Sequence, residues 1–372
     1  MAQEKENSIT VVAVGDVRVV RRDYNLSFTK VAHILKEADI AFFDCESTYA
    51  EKGSPGMAQH GASYHDPSRM PALTLAGFDV CTLATNHTLD WGTDAVVECR
   101  ERLEAMGIAV CGAGSNSSEA RKPAIVERKG VKVAFLGYLS VGPIGCMAEE
   151  DKPGAAMVRI HTVYEPYEYQ PGTPPRILTF AYREDLQNMV EDIKKAKEQA
   201  DIVVMTDHWG IHNAPTVIPD YCFEVGHAAI DAGADLVLGT HPHILKGIEV
   251  YKGKVIVYSL ANFAMENAIG QREGEVRGLS LKSWGQTMAK IYRPRHADQS
   301  KSLILKCVIS GKKIEQVSYL PVILDNEWSN PEPLLRSDPR AQDIFRYVED
   351  ISRDAGLGTK FSWDGNDVVI TT

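Results

Sequence analysis

Two patterns alternate along the chain: short, almost unbroken apolar runs, and longer stretches in which apolar residues recur every three or four positions. The runs are Ile9–Gly15, Ile40–Cys45, Val80–Thr85, Ile202–Asp207, Ala234–Gly239 and Lys254–Leu260. A run apolar at consecutive positions has both faces covered, which predicts buried strands of a parallel sheet. The stretches between them predict helices. Phe28–Ala38 puts Val31, Ile34, Leu35 and Ala38 on one stripe, and Asp94–Met106 does the same with Val97, Leu103 and Met106. Gly107 follows where a helix C-terminus favours glycine. Glu184–Glu198, with Leu186, Met189, Val190 and Ile193 on one face, and Asp220–Ala232 complete the set. Strand and helix in alternation predict an α/β fold.

Two regions break the pattern. Lys152–Arg176 holds prolines at 153, 166, 171, 174 and 175 and tyrosines at 164, 167 and 169. No regular element is expected there; the stretch reads either as a lid facing a substrate or as a loop packed on the surface. After Phe263 the texture becomes β-rich, with strands expected at Val276–Ile291, Lys301–Ser310 and Lys313–Leu324 and a turn at Ser310-Gly311-Lys312. Pro339–Ala355 predicts a closing helix, and Trp363-Asp364-Gly365-Asn366 a hairpin-like tail. The expectation is a single domain over 1–372, with a motif core at 9–263, a β-rich portion at 264–330 and the helix and tail at 331–372.

Composition narrows the function. An apolar fraction of 44% and a charged fraction of 24% describe an ordinary globular protein, and the net charge of -10 with no basic tract argues against a nucleic-acid partner. The polar N-terminal Met1–Ser8 has no signal-peptide character, and no run reaches the roughly 18 apolar residues of a membrane span. Together these predict a cytoplasmic protein without a membrane segment, acting on a small molecule, with a homo-oligomer left open. Seven cysteines without C-x-x-C spacing read as buried thiols.

The chemistry lies where the runs end. Asp16, Glu46, Asn86 with His87, and His208 each follow an apolar run, and His241-Pro242-His243 follows another. Taken alone, the histidine pair is either a solvated turn or a pair of metal ligands. A parallel sheet would gather all these ends along one edge, where α/β folds build their sites. Carboxylates, an amide and imidazoles suit manganese, zinc or iron better than calcium. Asp16, Glu46, Asn86, His208, His241 and His243 are too many for one tetrahedral ion with an open position, so two divalent ions bridged by a carboxylate are expected. Paired ions brace the attacking and leaving oxygens of a displacement, which implies hydrolysis.

The stretches Gly15-Asp16, Asp44-Cys45-Glu46-Ser47, Thr85-Asn86-His87-Thr88-Leu89-Asp90-Trp91-Gly92, His208-Trp209-Gly210, Gly239-Thr240-His241-Pro242-His243 and Tyr258-Ser259-Leu260-Ala261-Asn262-Phe263 resemble, in order, the motifs of the poly-γ-glutamate capsule-synthesis family of CapA type, a relative of calcineurin-like metallophosphatases. The resemblance implies a metallophosphatase-like layered α/β sandwich with a β-rich C-terminal part. It also implies that Asp16 and His243 hold one ion, that Asn86, His208 and His241 hold the other, and that Glu46 bridges them. His87 becomes the general acid or oxyanion stabiliser and Asp90 the carboxylate that orients it. A helix-capping role for His87 and a helix-start role for Asp90 stand beside these. Asn262 would shape the site wall.

Three departures from the family pattern bear on the substrate. Val17 and Arg18 stand where calcineurin-like enzymes place a second histidine near their aspartate, His212 stands where the family often has an acid, and Ala261 replaces a usual glycine. His212 is a candidate extra ligand, a neutral donor or a rim residue; Arg18, Arg272 and Arg277 are candidates for an anionic substrate group or for surface ion pairs. The leading expectation is a two-metal hydrolase of a phosphoester or an amide, the latter including γ-glutamyl bonds. The alternatives are a non-catalytic accessory protein of poly-γ-glutamate capsule biosynthesis and a cytoplasmic small-molecule hydrolase on the same scaffold.

Overall fold

The computed structural model describes residues 8–54, 64–166, 168–169, 173–266, 297–325 and 330–372. The apolar runs do form buried strands, but they divide between two sheets instead of sharing one. A ten-stranded mixed sheet has the spatial order Lys360–Asp364, Asp367–Thr371, Lys313–Ile323, Lys301–Ser310, Ile9–Arg18, Ile40–Cys45, Val80–Thr82 and Ala109–Cys111, with Asn262–Met265 alongside the end of Ile9–Arg18 and Glu332–Pro333 alongside Lys313–Ile323. A six-stranded sheet runs Ile248–Tyr251, Lys254–Val257, Leu236–Thr240, Ile202–His208, Val131–Leu139 and Ala124–Arg128. Periodicity could not separate the two sheets, because a strand buried on both faces has the same pattern in either.

Alternation along each strand builds the layers. Ile9, Val11, Ala13, Ile40 and Phe42 of the first sheet share one core with Val133, Phe135, Ile202, Val204, Leu236 and Leu238 of the second. The rings of Phe42 and Phe135 stack across this gap with centroids 5.6 Å apart. The opposite faces carry helices. Val12, Val14 and Phe43 pack with Leu35, Leu73, Val96 and Leu103, while Val203, Met205 and Val237 pack with Met189, Ile193, Val225 and Ala229. The result is the expected layered α/β sandwich, helix on sheet on sheet on helix, with the β-rich C-terminal strands extending the first sheet: Lys301–Ser310 runs antiparallel to Ile9–Arg18, and Lys313–Ile323 antiparallel to Lys301–Ser310.

One irregularity matters for the site. Between Ala13 and Asp16 the strand Ile9–Arg18 carries one residue more than its neighbour, so that Ala13 pairs with Phe42 but Asp16 with Asp44. Such a bulge reverses the facing of everything beyond it. Asp16 therefore shares the inter-sheet side with Val11 and Ala13, while Val17 joins Val14 against the helices. Glycine is required within the bulge, because a Cβ on Gly15 would lie 1.8 Å from the Ala261 carbonyl oxygen.

Most element boundaries agree with the pattern. The helices are Thr93–Ala105, Arg183–Lys197, Asp220–Ala232 and Pro339–Asp354, and Gly107 has φ +83° after the first of them. The stretch expected as a helix from Phe28 is shorter, Ala32–Glu37: Phe28 takes φ 64°, with its ring edge-on to Phe78 and stacked on Phe263. Lys152–Arg176 is corrected more substantially. It contains the strand Ile160–Glu165, which forms a hairpin with Arg176–Ala181, and the prolines at 166, 174 and 175 fall in the connection where no ladder hydrogen bond is lost. The tail is a hairpin, Lys360–Asp364 with Asp367–Thr371, turning at Gly365. The strand expected at Val276–Ile291, together with Arg272 and Arg277, lies outside the described residues. All seven cysteines are buried thiols, and among the described residues no helix is long and apolar enough to cross a membrane.

Candidate metal centre

The parallel strands of both sheets end at the same edge of the sandwich, and that coincidence brings the polar strand ends together. In the first sheet Asp16 lies between Asp44 on one neighbouring strand and Asn262 on the other. In the second, His208 is in register with Thr240, one residue before His241. The Pro242 peptide is trans; the turn is made by left-handed backbone at His241, φ 92°, and His243, φ 59°. Gly239 admits this turn, since a Cβ there would come within 2.3 Å of both Trp209 Nε1 and the Tyr258 carbonyl oxygen. Trp209 Nε1 donates to that carbonyl at 2.9 Å, locking the strand end against its neighbour.

All six residues expected as ligands meet at this edge. His243 Nδ1 is 3.1 Å from Asp16 Oδ2, and its Nε2 is 3.6 Å from Glu46 Oε1. His208 Nε2 is 3.0 Å from Asn86 Oδ1 and 3.2 Å from His241 Nδ1. His87 bridges inward as well, with Nε2 3.3 Å from Glu46 Oε1 and Nδ1 2.6 Å from Asp90 Oδ2. The turn that presents His87 is held by threonines: Thr85 N donates to Thr88 Oγ1, and Thr48 Oγ1 donates to the His87 carbonyl. The next helix starts only at Thr93 with Gly92 as its cap, so neither His87 nor Asp90 caps it.

The remaining candidates fall differently. His212 packs its ring 4.0 Å from that of His241 and 5.0 Å from that of His243, which brings it to the centre. Asn262 does more than line a wall, because its Oδ1 meets His243 Nδ1 at 2.8 Å. Arg18 Nε donates to the Glu266 carbonyl at 3.2 Å and so ties the end of its strand to residue 266. Asp44 and Thr240 escaped the sequence reading. Asp44 Oδ2 is 3.1 Å from His208 Nδ1, as is Thr240 Oγ1. A signal for Asp44 was present: Ile40, Phe42, Asp44 and Glu46 alternate onto one face, so a charge two residues before Glu46 had to point the same way.

Asp16, Asp44 and Glu46 are fully buried, and crowding them shifts their protonation. Burial and the adjacent Glu46 carboxylate push Asp16 up to about 6, and burial raises Asp44 also. Glu46 goes the other way: burial opposes its charge, but His243 and His87 beside it hold it well below the usual carboxylate range. For His87 and His243 burial is likewise outweighed. Asp90 and Glu46 hold His87 protonated up to about 9, and Glu46 and Asp16 do the same for His243. His241 and His212 are neutral, His212 being lowered to about 4 by burial and the His243 charge.

The donor set fits divalent cations. Asp16, Glu46 and His243 offer one ligand atom each within 4.8 Å of one another, and so do Asp16, Asp44 and His208. Both Glu46 oxygens are buried without a hydrogen bond, Oε1 lying 3.3 Å from His87 Nε2 and 3.6 Å from His243 Nε2. Buried carboxylates left so are costly unless a cation completes them.

Comparison with known proteins agrees with the motif order. Capsule biosynthesis protein CapA of Bacillus anthracis is 27% identical over 284 residues, covering 71% of this chain and 62% of that protein. A probable polyglutamine synthesis accessory protein of Mycobacterium tuberculosis is 29% identical over 225 residues, covering 59% of this chain and 54% of the relative. The chain thus spans less than two thirds of the length of either. Among solved structures, the calcineurin-like phosphoesterase YfkN from Bacillus subtilis aligns over 94% of this chain and 97% of its own, with a TM-score of 0.36 and 11% identity. The model of the bacterial capsule synthesis protein family PGA_cap matches residues 8–267, which takes in every strand end at the centre, and the chain belongs to that family.

Proposed function

We propose that the protein is a metal-dependent hydrolase that uses two divalent cations, from among manganese, zinc and iron, to cleave a phosphoester or an amide bond, γ-glutamyl amides included. The observation that carries this reading is the buried Glu46 carboxylate, set between His87 and His243 without a hydrogen bond of its own. Asp16, Glu46 and His243 would hold one cation, and Glu46, Asn86, His208 and His241 the other. Bound there, the cations would supply Lewis acidity and a water of lowered pKa.

The chain's own residues supply the proton. His87 is charged at neutral pH and its Nδ1 is committed to Asp90, so Nε2–H is the donor that faces the centre. From there it protonates the departing oxygen or nitrogen, and the buried Asp90 fixes the ring for that transfer. The side chain of His87 is 21% exposed whereas that of Glu46 is wholly buried, which makes the imidazole the group a substrate meets. His212, neutral and stacked on His243, lies on the same side of the centre.

A second reading, a non-catalytic accessory in poly-γ-glutamate capsule synthesis, is favoured by the accessory role in the mycobacterial relative's name. Turnover separates the two. Protein supplied with manganese or zinc is assayed on p-nitrophenyl phosphates and γ-glutamyl p-nitroanilide beside its His87→Ala variant. Hydrolysis lost in the variant is the expected result; no turnover with either metal favours the accessory reading.

A further inference from the structure

The two histidines assigned to different cations are oriented alike but partnered unlike. His208 turns Nε2 inward to Asn86 Oδ1 and its Nδ1 outward to Asp44 Oδ2 and Thr240 Oγ1. His243 turns Nε2 inward toward Glu46 and its Nδ1 outward to Asn262 Oδ1. A neutral imidazole has one N–H, and an acceptor at Nδ1 keeps that proton there and leaves the Nε2 lone pair for a cation. The acceptor at Nδ1 is the Asp44 carboxylate for His208; for His243 it is the Asn262 amide at 2.8 Å, with the Asp16 carboxylate at 3.1 Å.

Both partners are built into the sheet. Asp44 and Asn262 lie on the two strands that flank Asp16, each in register with it, so the backbone ladder fixes where the side chains start. Both are buried, at 0% and 1% exposure. Thr240 Oγ1 donates to Asp44 Oδ2 and holds that carboxylate against the ring. On the two-cation reading Asp16 would itself be a donor to the cation, which leaves Asn262 as the partner of His243 that lies outside the proposed ligand set.

We infer that Asp44 and Asn262 are positioning residues for His208 and His243, and that their difference in charge gives the two cation positions different affinities, tight at His208 and weak at His243. A carboxylate behind a ligating imidazole raises its basicity, whereas an amide orients the ring without adding charge. This rests on the two-cation reading above. It also gives the asymmetry a cause within the protein, independent of which metal is supplied.

Calorimetric titration of the chelator-stripped full chain with Mn²⁺, with bound metal counted by mass spectrometry, tests it. The wild type is expected to show two binding events. Asp44→Asn should weaken the tighter event by about 10- to 100-fold and spare the other, while Asn262→Asp should tighten the weaker. Circular dichroism of the stripped variants checks that they fold; a purely structural role would alter melting and leave the affinities alone. Two events unchanged in both folded variants overturn the inference and leave the two-cation reading standing. A wild type that binds no cation overturns both. Should Asp44→Asn fail to fold, Asn262→Asp decides alone, and an unchanged weaker event overturns the inference.

Discussion

Asp90 accepts from His87 across 2.6 Å, three residues along the same turn, and the opposite edge of that imidazole faces Glu46 at 3.3 Å. One ring thus joins a carboxylate behind it to the carboxylate at the heart of the centre. Removing either end should separate orientation from proton supply.

His87→Ala is expected to lower kcat by roughly 10²- to 10⁴-fold, the range typical of a lost general acid. Asp90→Asn should lower kcat less and move the alkaline limb of the pH profile. The sign follows from the charge. His87 must be protonated to act, and Asp90 and Glu46, outweighing burial, raise it from 6.5 to about 9. Activity should fall as pH rises toward 9, at a lower pH once cations occupy the centre, and lower still in Asp90→Asn. A pH–rate profile identical in wild type and Asp90→Asn would remove the carboxylate from the mechanism.

His241→Ala should reduce bound metal from two ions to one and abolish turnover while the metal-free variant melts near the wild type. His241 is neutral and packs against other imidazoles at the end of a strand, so its loss opens little of the apolar core. Elemental analysis and thermal melts make the check, and undiminished metal content would mean that the ligand sets are wrongly divided.

Asp207 predicts a pH-dependent stability. It points to the helix side of its strand, fully buried, with Ser140 Oγ donating to Oδ2 at 2.9 Å and Oδ1 without a hydrogen bond. Burial raises it to about 7. The folded state therefore holds a proton that the unfolded chain releases near 4, so stability is intact below pH 4 and declines as pH rises through 7. Asp207→Asn should stabilise at pH 8 by at most a few kcal/mol, at about 1.4 kcal/mol per tenfold change in proton affinity, with little effect at pH 4. Melting curves at the two pH values decide it; an equal effect at both would refute the assignment.

Phe42→Ala should cost about 3 to 5 kcal/mol, because it empties a stacked position between the two sheets. Denaturant titration reads the loss. A cost under about 1 kcal/mol would mean that the inter-sheet core collapses around the gap.

The sequence carried the strands because apolar runs buried on both faces are unambiguous, and it carried the cluster of polar residues at one edge because each of them ended a run. It did not carry the pairing of sheets, since Ile202–Asp207 and Ile40–Cys45 look alike although they lie on opposite sides of the core. Asp44 was missed inside an apolar run because it is a charge whose partner, His208, is 164 residues away. The hairpin at Ile160–Glu165 was missed because Pro166, Pro174 and Pro175, which fall between its strands, masked two strands whose residues are mostly exposed. Asn262 was placed at the site but given a lesser part than its contact with His243 supports.

The extra residue between Ala13 and Asp16 gives one strand two allegiances. Up to Ala13 its inward side chains answer to the packing of the sandwich; beyond it they answer to the centre. Deleting a single residue there would preserve every apolar position of the first half and yet rotate Asp16 toward the helix layer, among Phe43 and Leu83, and send Val17 into the cluster of carboxylates. Such a protein would bury a carboxylate in an apolar layer and take one donor from the proposed centre, so at this strand the reading frame of the backbone matters as much as the aspartate it delivers.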